Sequence, residues 1–356
     1  MMEYFVRIGP RNLADCRFLP AAANRKKGFD SAGIARFNRE RLAMVKRSLN
    51  EDDSLDDFTA REITLSDATK RVYVAGSGPA VIVMTEMPGI SPHVARFARW
   101  VRDAGFTVYM PSLFGRDGAV PQVEEGVAVV QRACISAEFR ALAANQTSPV
   151  TQWLRALARL AHGECGGPGV GAIGMCFTGN FALTMMLEPA MLAPVLSQPS
   201  LPLNDPAGIE ISPDDIRAVR QRLDRDDLTV LAYRFTGDRF CTAQRFAAYA
   251  EALGERFIGR VLPDSAANTD VPPFFAERVA CPHSVVTAHL IDEAGQPTIA
   301  ARDEILAFFA RRLLGRCSPW DMSVRRRLRR LGWVERSEPV DSAETPDGFR
   351  CAQPIL

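Results

Sequence analysis

Cys176 stands in the run Gly174-Met175-Cys176-Phe177-Thr178-Gly179, between the apolar stretch 170–173 and Asn180-Phe181-Ala182-Leu183. A strand that passes into a helix through so short a turn forces its middle residue into strained backbone geometry. The residues two before it and two or three after it must then be small. Gly174, Thr178 and Gly179 meet that need. A cysteine presented this way is a nucleophile, because the thiolate attacks a carbonyl carbon and the start of the following helix favours the anion. Most free cysteines are instead small buried hydrophobes. The strand-to-helix setting decides between the two readings here.

Such a nucleophile needs a base and an acid that orients the base, and both must come from the ends of later strands. The apolar run 228–235 ends in Thr236-Gly237-Asp238-Arg239-Phe240, which puts Asp238 at the carboxyl end of a strand, where open α/β sheets keep their sites. Gly-Asp is also a common turn dipeptide. The chain has only four histidines, at 93, 162, 283 and 289. His283 lies in the loop Cys281-Pro282-His283-Ser284 between the last strand and the last helix and is the preferred base, with His289 in reserve. His162 falls in the last turn of a helix, where a cation complements the dipole. His93 falls in a first helical turn and is a candidate for the mouth of the site.

An acyl transfer also needs two backbone N–H donors for the oxyanion, one just after the nucleophile and one from the loop after an early strand. Phe177 supplies the first, and Met87, in the loop Thr85-Glu86-Met87-Pro88-Gly89, the second. Glu86 is an unexpected charge at a strand end, and a carboxylate near a thiol alters the protonation of both. With dispersed histidines, no H-E-x-x-H and no paired cysteines, the spacing for a metal is absent, and none is expected. No cofactor is expected either. The glycines of Gly-Glu-Cys-Gly-Gly-Pro-Gly-Val-Gly precede a strand instead of joining strand to helix, so a nucleotide-binding reading fails.

The elements that must position these residues are short apolar runs alternating with helices from residue 80 onward, the pattern of a mostly parallel sheet covered on both faces. Strands are predicted over 80–84, 106–110, 170–173, 192–196, 228–235 and 257–262. A helix opens at Ser91-Pro92, carries Val94, Phe97, Ala98 and Val101 at helical spacing and ends at Gly105. A second shows Val150, Trp153, Leu154, Leu157 and Ala158 on one face and closes at Gly163; others open at Ser212-Pro213, run over 242–253 and end the domain over 298–313. Ahead of them stand an amphipathic helix over 33–49 and an edge hairpin of strands 61–65 and 70–75. The domain is taken as 33–315, with an extension over 1–32 and a basic then polar tail over 316–356 that includes the arginine cluster of 325–330.

The net charge of +1 gives no field for nucleic acid or an anionic membrane, so the expected partner is a small molecule. The opening MMEYFVRIGPRNLADCRF lacks a signal-peptide core, and no run of 18 apolar residues marks a membrane span. Eight cysteines without a C-x-x-C pair read as reduced thiols, which suits a cytoplasmic protein. No feature assigns an oligomeric state.

Taken together, VIVMTEMPGISPHVARFARWVRDAGFTVYMPSLFGR, the elbow GMCFTGNFAL, Asp238 and His283 resemble the dienelactone hydrolase family over roughly residues 70–313. The resemblance implies an α/β-hydrolase fold and a carboxylic ester or lactone hydrolase (EC 3.1.1 class). Cys176 would be its nucleophile, His283 its base, Asp238 the orienting acid and Glu86 a carboxylate that helps to ionise the thiol. Met87 and Phe177 would donate to the oxyanion, and a thioester would form and be hydrolysed. Thr178 replaces the first of the family's two elbow glycines. The family's substrate-binding arginine, four residues after the histidine, is here Thr287, which leaves a carboxylate to Arg132, Arg140 or Arg239. A thioesterase or acyltransferase with the same triad, and a non-catalytic binding protein on this fold, are the alternatives.

Overall fold

The structure is a computed structural model that describes residues 47–136, 138–139 and 148–315. The predicted extension over 1–32, most of the helix over 33–49, Arg140 and the tail 316–356 lie outside the described residues. The described end of that helix, 47–49, is not helical. The chain divides into two units, Met1–Arg47 and Ser48–Leu356, and all the described strands and helices belong to the second.

Ser66 and Asp67 both take positive φ, 49° and 63°, the backbone of a two-residue hairpin turn whose twist matches that of its strands. The turn pairs β1 (Thr59–Leu65) antiparallel with β2 (Ala68–Gly76). β2 in turn pairs antiparallel with β4 (Thr107–Pro111). The remaining neighbours are parallel: β3 (Ala80–Met84), β5 (Val170–Met175), β6 (Met191–Ser197), β7 (Val230–Phe235) and β8 (Phe257–Leu262). The order across the eight-stranded sheet is β1-β2-β4-β3-β5-β6-β7-β8. Parallel pairing from β4 to β8 brings the carboxyl ends of these strands to one edge.

Both faces of the inner strands are buried, which is why they read as unbroken apolar runs. Val81 and Val83 of β3, Ile173 of β5 and Leu231 and Tyr233 of β7 pack under α1 (Pro92–Asp103) and the last helix, Pro297–Leu313. Ile82, Met84, Ala172 and Ala232 turn the other way, into a core with Trp153, Leu157, Leu223, Phe246 and Tyr249. Each large side chain removed from water contributes roughly 1.5–3 kcal/mol. The helices on this second side include α2 (Val123–Ile135), which the sequence pattern did not reveal, and α3 (Pro149–Cys165).

Ser91 caps α1 by accepting from the Val94 N–H at 3.3 Å, with Pro92 in the first turn. The helix expected to close at Gly163 runs on to Cys165 and stops at Gly166, whose φ is 66°. A methyl group on Gly163 would meet only open space, so that glycine is tolerated inside the helix, whereas Gly166 supplies the left-handed backbone that ends it. After the elbow come α4 (Phe181–Thr184), then α5 (Pro213–Arg225), α6 (Ala243–Leu253) and α7 (Pro297–Leu313). A mostly parallel sheet wrapped by helices, with a sharp turn at Cys176 between β5 and the helical segment that follows, is the α/β-hydrolase fold. No described helix is long and apolar enough to cross a membrane.

Candidate active site

Cys176 follows the last residue of β5 with φ 53°, a conformation that costs an L-residue energy and survives only where its surroundings impose it. The surroundings are tight. A Cβ on Gly174 would collide with the Thr178 carbonyl oxygen, and one on Gly179 would come within 2.5 Å of the Pro199 Cα. Thr178 does more than fit. Its hydroxyl accepts from the Met175 N–H at 2.9 Å and lies 3.0 Å from both the Thr85 and the Met175 carbonyls, tying the elbow to the end of β3.

The helix expected behind the elbow is broken into a 3₁₀ turn (Cys176–Thr178), the one-turn α4 and a second 3₁₀ turn (Met185–Leu187). From the second of these turns to the start of β6, the carbonyls of Met186, Glu188, Pro189 and Met191 are reached by the buried Arg222 guanidinium.

Asp238 sits in the turn after β7 and is buried. Its Oδ1 accepts from the Phe240 and Cys241 N–H groups, each at 2.9 Å, while Oδ2 lies 2.8 Å from His283 Nδ1. His283 is 1% exposed, in the loop between β8 and α7, with the Phe240 ring edge-on at 5.3 Å. Burial by itself lowers the imidazole pKa. The Asp238 carboxylate and the Cys176 sulfur outweigh it and hold the ring well above its ordinary range.

The other histidines stand elsewhere. His289 is buried between the rings of Phe235 and Phe275, its Nδ1 accepts from the Ser284 N–H at 3.1 Å, and burial followed by the His283 charge pushes its pKa down to about 3. It supports the His283 loop from behind. His93 is buried beneath the first turn of α1 and is pushed down to about 4, by burial and then by Arg96, so it is not at an open mouth. His162 lies 3.1 Å from the Gly167 carbonyl at the end of α3, as a helix-end residue would.

Glu86 is buried at the end of β3. It accepts from Ser284 Oγ at 2.6 Å, from Gln198 Nε2 at 3.2 Å and from the Thr287 hydroxyl. Burial raises its pKa, and these donors pull the other way. Thr287, four residues after His283, therefore spends its hydroxyl on Glu86. Arg132 and Arg239 are exposed.

Met87 and Phe177 are both buried next to the elbow, and Phe177 packs on Phe114, Phe139 and Phe181 with ring centroids 5.5, 5.7 and 6.3 Å away.

Two residues were not anticipated. Ser200, beyond the end of β6, has its hydroxyl 3.5 Å from Cys176 Sγ and 3.5 Å from His283 Nε2. Arg245 of α6, 1% exposed, donates to the carbonyls of Pro199, Pro202, Asp205, Gly208 and Phe240 and so fastens the loop that carries Ser200. Position just past a strand's carboxyl end was the one signal for Ser200. Among the described residues no cluster of His, Cys, Asp or Glu is placed to hold a metal ion.

The segment from β2 through the elbow to Ser200 also agrees with a known family pattern. Residues 69–205 match the dienelactone hydrolase family. The dienelactone hydrolase match is to a hydrolase family of this fold; it contains Glu86, Met87, Cys176 and Ser200 and ends before Asp238 and His283.

Similar solved structures include a dienelactone hydrolase-like promiscuous phosphotriesterase from metagenomic libraries, 17% identical, covering 72% of this chain and 99% of its own, with a TM-score of 0.47. A putative dienelactone hydrolase from Klebsiella pneumoniae is 16% identical, with coverage of 71% and 98% and a TM-score of 0.46. The dienelactone hydrolase of Anabaena variabilis is 13% identical, with 72% and 99% and 0.44. The comparison with curated proteins finds no match.

Proposed function

We propose that the protein is a carboxylic ester or lactone hydrolase that works through an acyl-enzyme on Cys176. The observation that carries this reading is the pairing of Asp238 Oδ2 with His283 Nδ1 at 2.8 Å, which leaves Nε2 on the side of Ser200, whose hydroxyl is 3.5 Å from both Nε2 and Cys176 Sγ.

In the first half-reaction His283 Nε2 takes the Cys176 proton and the sulfur attacks the substrate carbonyl carbon. The N–H groups of Phe177 and Met87 receive the oxyanion. Collapse breaks the C–O bond, His283 returns its proton to the leaving alkoxide, and a thioester remains. In the second half His283 deprotonates water, hydroxide attacks the thioester carbon, and the carboxylic acid leaves as Cys176 regains its proton. Asp238 holds the ring through Nδ1 and supports the imidazolium. Glu86 accepts from Ser284, Thr287 and Gln198 and so holds the His283 loop against the end of β3; helping to ionise the Cys176 thiol is its proposed role. The substrate is a small molecule, and the reduced Cys165, Cys176, Cys241 and Cys281 suit a cytoplasmic setting.

The test is turnover of an activated ester and of a lactone by the wild-type protein and by Cys176→Ala. Loss of at least about a thousandfold in the variant is expected. An inactive wild type, or a variant with full activity, overturns the reading. A wild type that hydrolyses only thioesters, or transfers acyl groups to alcohols, moves it to the corresponding activity of the same triad.

A further inference from the structure

We propose that Ser200 is a further catalytic residue whose hydroxyl bridges Cys176 and His283 and stabilises their charged form. This rests on the reading of Cys176 as nucleophile given above.

The hydroxyl has one proton and two lone pairs. Ser200 Oγ lies 3.0 Å from the Gln198 carbonyl oxygen, 3.5 Å from Cys176 Sγ and 3.5 Å from His283 Nε2. With thiol and imidazole neutral, the proton goes to the nearest acceptor, the Gln198 carbonyl. The two longer approaches are then contacts waiting for charge, since hydrogen bonds at catalytic groups are often long before the reacting state forms. When Cys176 passes its proton to His283 Nε2, the sulfur becomes an anion and Nε2 a donor. Ser200 then accepts from Nε2–H and turns its own proton from Gln198 to the sulfur. No atom is gained or lost: one proton moves from Sγ to Nε2, and the serine keeps its own.

The position is built. The Ser200 N–H donates to the Cys176 carbonyl at 3.0 Å, locking the serine to the nucleophile's backbone. Arg245 holds the flanking carbonyls of Pro199 at 3.3 Å and Pro202 at 2.6 Å, and the Phe240 carbonyl at 2.5 Å beside the base. Ser200 is 1% exposed, whereas Cys176 is partly exposed and carries the strained elbow φ. Substrate therefore reaches the sulfur, and the serine acts on the sulfur from inside.

The experiment follows iodoacetamide alkylation of Cys176, peptide by peptide, in the full chain and in Ser200→Ala, at pH 7 and pH 10. Hydrogen bonds to charged groups are worth about 1.5–3 kcal/mol, so a loss of at least about tenfold is expected at pH 7. At pH 10, above the pKa of about 8.5 of an ordinary cysteine, the rate should match the wild type within about twofold. Ser200→Thr, which keeps the hydroxyl, should recover most of the pH 7 rate. An unchanged pH 7 rate overturns the proposal, as does an equal loss at both pH values, which would mean the serine only shapes access. An acyl group trapped on Ser200 instead of Cys176 also overturns it. Alkylation needs no turnover, so a wild type that hydrolyses no ester defeats the proposed function and leaves this test intact.

Discussion

Asp238 divides its two carboxylate oxygens between different tasks, one holding the turn through Phe240 and Cys241 and the other facing His283. Asp238→Asn keeps an acceptor but removes the charge that holds the imidazole pKa up. Ester hydrolysis should fall by at least about a hundredfold, and alkylation of Cys176 at pH 7 should slow with it. If both rates stay within twofold of wild type, the carboxylate is not the group that charges the ring. His289 offers a separate reading at this scale. Its pKa is lowered from 6.5 to about 3, so between those values the unfolded chain binds a proton that the folded one refuses. Stability from this group is therefore full above pH 6.5 and falls as the pH drops toward 3, by at most roughly 1.4 kcal/mol per unit. Urea unfolding at pH 6.5, 5.5 and 4.5 should give a shallower fall for His289→Gln than for wild type. The same slope in both would exclude His289 as a source of acid sensitivity.

At the scale of elements, the elbow and the loop after β6 depend on polar ties that apolar patterning does not record. Thr178→Val keeps the volume and deletes the acceptor for the buried Met175 N–H, so urea unfolding should show a loss of about 1–3 kcal/mol. Arg245→Lys retains the charge, but one ammonium with three protons cannot serve carbonyls spread over Pro199, Pro202, Asp205, Gly208 and Phe240. Ester hydrolysis should drop about tenfold or more, and limited proteolysis should open the loop at its exposed Leu203. A variant as active and as resistant as wild type would remove Arg245 from the account. Caps and turns were legible where a local rule acts alone, as at Ser91-Pro92 and Ser212-Pro213. They were misread where a distant group intervenes. The segment behind the elbow is broken into short turns, and Arg222, from another helix, takes the Met186 and Glu188 carbonyls that follow α4.

Over the whole molecule, the His283 loop is strung between β8 and α7, and these are joined by a buried network. Arg260 Nη2 of β8 lies 2.8 Å from Glu304 Oε1 of α7, and the Tyr233 hydroxyl of β7 donates to the same carboxylate at 2.7 Å. Glu304→Ala leaves a guanidinium buried without its carboxylate and should cost about 3–5 kcal/mol in urea unfolding; adding Arg260→Met should recover part of that. A single variant within about 1 kcal/mol of wild type would show the pair to be solvated. By itself the sequence determined the α/β class, most strand positions and the elbow, because apolar runs, caps and a Gly-x-Cys-x-x-Gly turn are local and each is written within a few residues. Only the tertiary structure decided what surrounds the elbow. Glu86 meets Ser284 and Thr287, 198 and 201 residues away, and Ser200 comes between Cys176 and His283, because the strand order β3-β5-β6-β7-β8 brings loops from separate stretches of chain to one edge. Contacts across such separations depend on strand order and side-chain direction, and neither leaves a periodic trace in the residues themselves.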